Sequence, residues 1–267
     1  MNAFAQALGD GAVVAKRNLI KIKRIPDLLV FSTLQPIMFV LLFAYVFGGS
    51  ISIPGMDYRE FLMAGIFTQT VLFGSTITGS GLAEDIQKGV IDRFRSLPMA
   101  RSAVLIGRTT SDLVNNVIIV VVMSATGLLV GWRIRTSFLE ALGGFALLLL
   151  FAYALSWGMA IIGLMVRSPE VFNNAVFIVI FPLTFIANTF VQEGNLPGPL
   201  RAFAEWNPVS AVTAAVRLLF GNTNPLTPPP DAWPLRHPVP TTLIWVAVFL
   251  AVFVPLAVRQ YRKAVSR

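Results

Sequence analysis

Charged residues disappear from this chain for a bilayer's width at a time and then return in clusters. Six uncharged runs result, at 28–47, 61–83, 113–132, 141–166, 171–192 and 241–258. A helix rises about 1.5 Å per residue, so about 20 apolar residues cross the hydrocarbon, and each run is predicted to be a transmembrane helix. Ahead of them, residues 1–27 interleave Phe4, Leu8, Val13, Val14, Leu19, Ile20, Ile22 and Ile25 with Lys16, Arg17, Lys21, Lys23 and Arg24. That mixture fits an amphipathic helix lying in the headgroup plane, a disordered basic tail being the plainer alternative, and it lacks the short apolar core and small-residue cleavage pattern of a signal peptide.

Between the second and third runs lies a polar island, 84–108, with eight charged side chains. Ile86, Val90, Ile91, Phe94 and Leu97 recur there at near-helical spacing, and Pro98 ends the series. The pattern predicts a short amphipathic helix with one apolar side. The long segment 193–240 is also outside the runs. Asn207 caps a predicted helix opened by Pro208 and closed by Gly221, with Val209, Val212, Val216 and Leu219 on one side. Leu200, Phe203 and Trp206 predict a partner helix before it, so the pair is expected to be re-entrant or interfacial. Seven prolines from Pro225 to Pro240 predict an irregular connector.

Inside the runs, the departures from pure hydrocarbon carry the information. Pro36 is expected to kink the first helix. The second places Gln69, Phe73, Thr76 and Ser80 on one face, which serves either helix packing or the lining of a polar pathway. The fourth carries Ala154 and Gly158, a small pair suited to close helix approach. In the fifth, Thr184 and Asn188 lie one turn apart beside Phe177, Phe181 and Phe185. Intramembrane amides are costly unless bonded, so these two are candidates for an interhelical bond or a substrate contact.

Composition supports the membrane reading: 55% of the 267 residues are hydrophobic, only 13% are charged, and mean hydropathy is +0.73. Lysine and arginine are distributed fifteen to six between the two sides of the six-span arrangement, which places both termini and the island in the cytoplasm. The net charge of +8 is therefore read as topology rather than as an affinity for nucleic acid. With no cysteine and one histidine, His237, the chain offers neither a thiol nucleophile nor a multi-histidine metal cluster. No G-x-x-x-x-G-K-[ST] loop occurs, so any nucleotide chemistry is expected on another polypeptide.

Taken together, Arg17-Asn18-Leu19 before Pro26, the Pro36 helix ending at Phe47-Gly48, the island from Glu84 through Gly89, Arg93, Leu97-Pro98, Arg101 and Gly107-Arg108, and the late Asn207-Pro208 with Arg217 and Gly221 resemble the membrane subunits of type-2 ABC exporters, of the daunorubicin-resistance type. The resemblance covers nearly the whole chain. It implies an all-α integral membrane protein of six transmembrane helices, with an N-terminal amphipathic interfacial helix, a cytoplasmic coupling helix, and re-entrant or interfacial outer helices between helices five and six. It also implies a permease without enzymatic activity of its own, in the cell membrane, paired with a second permease copy and with nucleotide-binding ATPase subunits that hold ATP and Mg. By that resemblance Ile91, Phe94 and Leu97 seat in the ATPase groove, Glu84, Asp85, Arg93 and Arg95 fix orientation through charge pairs, and Gly89, Pro98 and Arg101 complete the docking segment, while Phe177, Phe181, Thr184 and Asn188 join Gln69, Phe73, Thr76 and Ser80 along the path of an amphipathic or hydrophobic compound. An ion-coupled carrier and an exporter of a lipid-linked polysaccharide are the alternatives; the former usually needs ionisable groups at membrane depth, and the six runs hold none.

Overall fold

A computed structural model of the chain describes residues 3–24, 26–47, 55–90, 102–190, 196–226 and 228–265. Among these residues the regular structure is helical: α1 (Ala3–Arg24), α2 (Pro26–Leu42) widening into a π-helical turn (Phe43–Phe47), α3 (Tyr58–Gln87), α4 (Ala103–Leu129), α5 (Phe138–Met165), α6 (Pro169–Phe185), α7 (Gly198–Trp206), α8 (Pro208–Phe220), α9 (Trp233–Arg236) and α10 (Pro238–Val265). By length and composition α3, α4, α5 and α10 are able to cross a membrane, and α2, α6 and α8 contribute shorter apolar stretches.

Several helices outrun the uncharged stretches that announce them, because the charges that interrupt the pattern are bonded within the fold. Helix α5 begins before residue 141 through a capping box: the Ser137 hydroxyl accepts from the Glu140 N–H at 3.4 Å and the Glu140 carboxylate accepts from the Ser137 N–H at 3.0 Å. Helix α4 begins at Ala103 rather than near 113, so Arg108 and Asp112 are helical residues with partners on α3. Helix α3 likewise takes in Glu84–Gln87, so these four residues are its last turn and not part of a separate island helix. It ends at Lys88, and Gly89 follows at φ +64°, a left-handed conformation that glycine adopts without strain.

Helix α3 is the central element and packs on α4, α5, α6 and α8. Near its beginning the core is aromatic, with Phe67 against Trp132 (ring centroids 5.4 Å apart), Trp132 against Phe220 (5.5 Å) and Phe220 against Phe145 (4.7 Å). Further along, α3 and α5 cross so closely that a Cβ on Gly163 would run into the Gly79 backbone. Ala154 is buried and Gly158 lies against the Phe253 ring of α10, 3.0 Å from where its Cβ would stand. Small residues allow such approach where lipid provides no hydrophobic drive between helices. Gly163→Leu is therefore expected to lower stability by about 3 kcal/mol, the upper range for overpacking. Gly143→Leu, whose Cβ would meet nothing within 4 Å, is the control, and thermal unfolding in detergent distinguishes the two.

Helix α1 lies along α4, with Val14 and Ala15 buried and Val13, Lys16, Arg17 and Ile20 exposed. Helix α8 is capped as its sequence predicts: Asn207 Oδ1 accepts from the Val209 N–H at 2.9 Å, and Gly221 ends it at φ +70°. The same asparagine ties α8 to the end of α6, its Nδ2 donating to the carbonyls of Leu183 (2.8 Å) and Ile186 (2.9 Å). Val209, Val212, Val216 and Phe220 are fully buried, and α8 packs on α3, α5 and α10 inside the bundle.

Candidate functional site

A cleft of about 420 Å³ opens between α2, α3, α4 and α6. Its walls are Gln35, Pro36 and Phe39 from α2, Gln69, Thr70, Phe73, Gly74, Thr76 and Ile77 from α3, Ile119 from α4, and Phe177, Phe181 and Phe185 from α6. The aromatic rings form a continuous arc: Phe39–Phe43 at 5.5 Å, Phe43–Phe190 at 5.0 Å, Phe190–Phe185 at 5.5 Å, Phe185–Phe181 at 4.3 Å and Phe181–Phe177 at 5.1 Å. The polar groups are few. Thr76 spends its hydroxyl on the Phe73 carbonyl at 2.7 Å, which leaves the amides of Gln35 and Gln69 and the hydroxyl of Thr70 as the other polar side chains of an otherwise apolar wall. An apolar, aromatic cleft with a few placed amides suits a molecule that is mostly hydrocarbon or ring with a small polar part.

Of the eight residues expected along a pathway, five share this cleft: Gln69, Phe73, Thr76, Phe177 and Phe181. The other three do not line it. Ser80 is half-buried on α3 beyond the lining. Thr184 is fully buried and spends its hydroxyl on the carbonyls of Ile180 (2.9 Å) and Phe181 (3.0 Å) of its own helix. Asn188 belongs to the region beyond α6: its N–H donates to Ser210 Oγ at 3.1 Å, its carbonyl accepts from Arg217 at 2.6 Å, and its Oδ1 has no hydrogen-bond partner among the described residues. Gln35, Phe39 and Ile119 complete the cleft without having been singled out, although the i, i+4 pair Phe39 and Phe43 beside Pro36 was a readable signal.

Of the expected docking residues, Ile91, Arg93, Phe94, Arg95, Leu97, Pro98 and Arg101 lie outside the described residues. Glu84 pairs with Lys88 one turn on, and the hydrogen bond, followed by the carboxylate's charge, raises the Lys88 ammonium above its ordinary range. Asp85 departs from the expectation that it faces a partner. It is buried and accepts from Arg108, because continuing α3 past residue 83 turns position 85 toward α4.

At the far end of α3 the polar side chains clamp the bundle. Arg217 is 6% exposed; its Nε donates to the Phe61 carbonyl at 3.0 Å and its Nη2 to those of Asn188 and Thr189, with the guanidinium 3.7 Å above the Phe61 ring. Arg135 grips Glu60 through Nε (3.0 Å to both oxygens) and Nη2 (2.6 Å), bonds that hold its guanidinium protonated above the usual range. Trp132 Nε1 donates to Asn222 Oδ1 at 2.7 Å. A second cavity of about 500 Å³ lies beside this clamp, lined in part by Asn188, Arg201, Glu205, Arg217, Asp231 and Arg236.

The family model of the ABC-2 type transporter matches residues 12–220. The chain is 34% identical over 247 residues to the daunorubicin resistance ABC transporter permease protein DrrB1 of Streptomyces coeruleorubidus, covering 92% of this chain and 83% of that protein. It is 24% identical over 205 residues to the doxorubicin resistance ABC transporter permease protein DrrB of Mycobacterium tuberculosis, covering 77% of this chain and 70% of that protein.

Proposed function

The chain belongs to the ABC-2 type transporter family, a multi-pass membrane permease by its relatives and its apolar helices, and from that premise we propose that it is the transmembrane subunit of an exporter for amphipathic or hydrophobic compounds, a drug, lipid or glycolipid. ATP and Mg are held by a separate nucleotide-binding subunit, and the permease works as a pair, with a second copy of itself or a similar chain. The observation that carries this reading is the aromatic cleft walled by α3, the helix whose last turn opens the 84–108 island. Its volume falls in the range of about 300–1,000 Å³ that drug-sized ligands occupy.

In this reading α2 with its π-helical turn and α6 supply the first and fifth of six spans, and α7 and α8 form the outer re-entrant pair. Both termini and the island are cytoplasmic. Exposed side chains of α2 (Leu34, Met38, Tyr45) and α6 (Phe177, Ile178, Phe181) are the surfaces offered to the second permease and to lipid. Ile91, Phe94 and Leu97 seat in the ATPase, with Glu84, Arg93, Arg95 and Arg101 around them and Gly89 and Pro98 bounding the segment.

The test is co-purification with the ATPase followed by transport in reconstituted vesicles, with daunorubicin as the fluorescent probe because a relative carries that name. Phe94→Ala is expected to leave expression and assembly unchanged while ATP-driven probe movement falls about tenfold, the loss of about 1.4 kcal/mol of coupling. Normal movement in that variant removes the docking role from Phe94.

A further inference from the structure

Helices α3 and α4 meet along a stripe that the cleft touches only at Gly74. On α3 it consists of Gly74, Thr78, Gly81 and Asp85, which share one face; on α4 it consists of Asn116, Asp112 and Arg108, successive turns of that helix. The two sets pair in antiparallel order. Thr78 Oγ1 donates to the Asp112 carboxylate and Arg108 donates to the Asp85 carboxylate. The Arg108 guanidinium lies over Gly81 and the Asn116 amide over Gly74, at places where a Cβ would collide with them. Thr78, Asp85, Asp112 and Asn116 are all buried. Ser111 extends the stripe to α1, accepting from Asn18 Nδ2 at 3.3 Å and donating to the Arg108 carbonyl at 2.8 Å.

Building on the transport reading, we propose that Thr78, Asp85, Arg108 and Asp112 are positioning residues of the transport cycle, a register lock that makes α3 and α4 turn as one rigid lever between the 84–108 segment and the cleft. The argument is one of alternatives. Helices packed only by hydrocarbon slide past one another at little cost in lipid, because no hydrophobic force distinguishes one register from the next. A slide of one turn, about 5.4 Å, would instead leave the buried Asp112 and the half-buried Arg108 without their partners and drive the guanidinium off the glycine that makes room for it. Shear is thus disfavoured, while rotation of the pair as a body leaves the bonds between the two helices intact. Asp85 stands twelve residues from Phe73, about 18 Å along the helix, so movement at the island arrives at the cleft wall without being absorbed between the helices. Gln69, Phe73 and Thr76 on α3 and Ile119 on α4 then move together.

Because the chain has no cysteine, one engineered pair reports on the register. In the Gly74→Cys, Asn116→Cys protein the new sulfur replaces Asn116 Cγ, which lies 3.0 Å from where a Gly74 Cβ would stand, so oxidation closes a disulfide across the stripe. The experiment uses the reconstituted complex with its ATPase and daunorubicin as probe. Because position 74 borders the cleft, the comparison is made within this one protein: whatever its reduced form moves, oxidation is expected to leave the amount of probe moved per ATP unchanged. Asp85→Asn is expected to keep ATP hydrolysis and lower probe moved per ATP about tenfold, within the 5- to 150-fold span of site-to-site coupling. Oxidising the cysteine pair in that background restores the ratio, and reduction removes it again, a response that a merely structural role would not produce. Thr78→Val, which keeps side-chain shape, gives the same rescue from a smaller loss and serves where Asp85→Asn does not assemble. An oxidised pair that arrests an otherwise native complex overturns the proposal, as does an unchanged ratio in Asp85→Asn and Thr78→Val. A native complex that hydrolyses ATP without moving probe overturns the transport reading instead.

Discussion

Arg217→Ala is expected to be the most damaging single substitution in the clamp beside α8, lowering stability by about 3–4 kcal/mol through the loss of charge-assisted bonds worth about 1.5–3 kcal/mol each, which are not additive. The guanidinium stands at the end of α8 and reaches two other elements, the Phe61 carbonyl on α3 and the Asn188 and Thr189 carbonyls in the turn after α6. Those last two carbonyls belong to no helix, so their bonds depend on this side chain more than the Phe61 carbonyl does. Removal also empties the space over the Phe61 ring, where the cation stacks. Arg217→Lys separates charge from geometry: an ammonium keeps the charge but cannot span the same fork, and it is expected to recover less than half of the loss. Thermal unfolding midpoints of the three proteins in one detergent decide this. Equal midpoints for wild type and Arg217→Ala would mean that the clamp holds nothing together.

Arg217 also marks where reading charge along a chain stops working. It counts in the charge reading as one of the six cations set against fifteen, and that reading gives no sign that its guanidinium is buried and bonded to three backbone carbonyls. The membrane character, the capped helix from Pro208 to Gly221, the aromatic spacing of 177, 181 and 185, and the absence of a nucleotide loop were legible because each depends on local sequence alone. What an uncharged run reports is hydrocarbon thickness, not the ends of a helix. Glu140 stands just ahead of a run yet belongs to the capping box of α5, and Arg108 and Asp112 stand ahead of a run yet bond to α3, so α4 begins far ahead of its apolar stretch. Partners across helices are not visible in a linear pattern. The same limit split the candidate pathway: Gln69, Phe73 and Thr76 line the cleft and Ser80 does not, while spacing held no information on how α2 and α4 would close the cleft, nor that Thr184 would turn its hydroxyl onto its own helix.

Filling the cleft tests whether that face of α3 is a pathway or only a packing surface. Thr76 is the position for it, since its hydroxyl bonds to its own helix and its side chain is half-buried at the cleft wall. In Thr76→Trp the indole occupies space now open between Phe73 and the Phe177–Phe181 rings, while the lost hydroxyl bond leaves no unpaired group on another element. The fold is expected to tolerate this, with an unfolding midpoint within about 3 °C of wild type, the shift that about 1 kcal/mol produces in a chain of this size. Transport behaves differently. If an amphipathic compound passes between these rings, daunorubicin movement per ATP falls at least about tenfold, equivalent to about 1.4 kcal/mol, while ATP hydrolysis by the complex continues. Thr76→Val, which deletes the hydroxyl without adding bulk, is expected to transport normally, so the loss is assigned to occupied space rather than to a missing polar contact. Full transport by Thr76→Trp would reduce the stripe of Gln69, Phe73 and Thr76 to helix packing and move the path elsewhere.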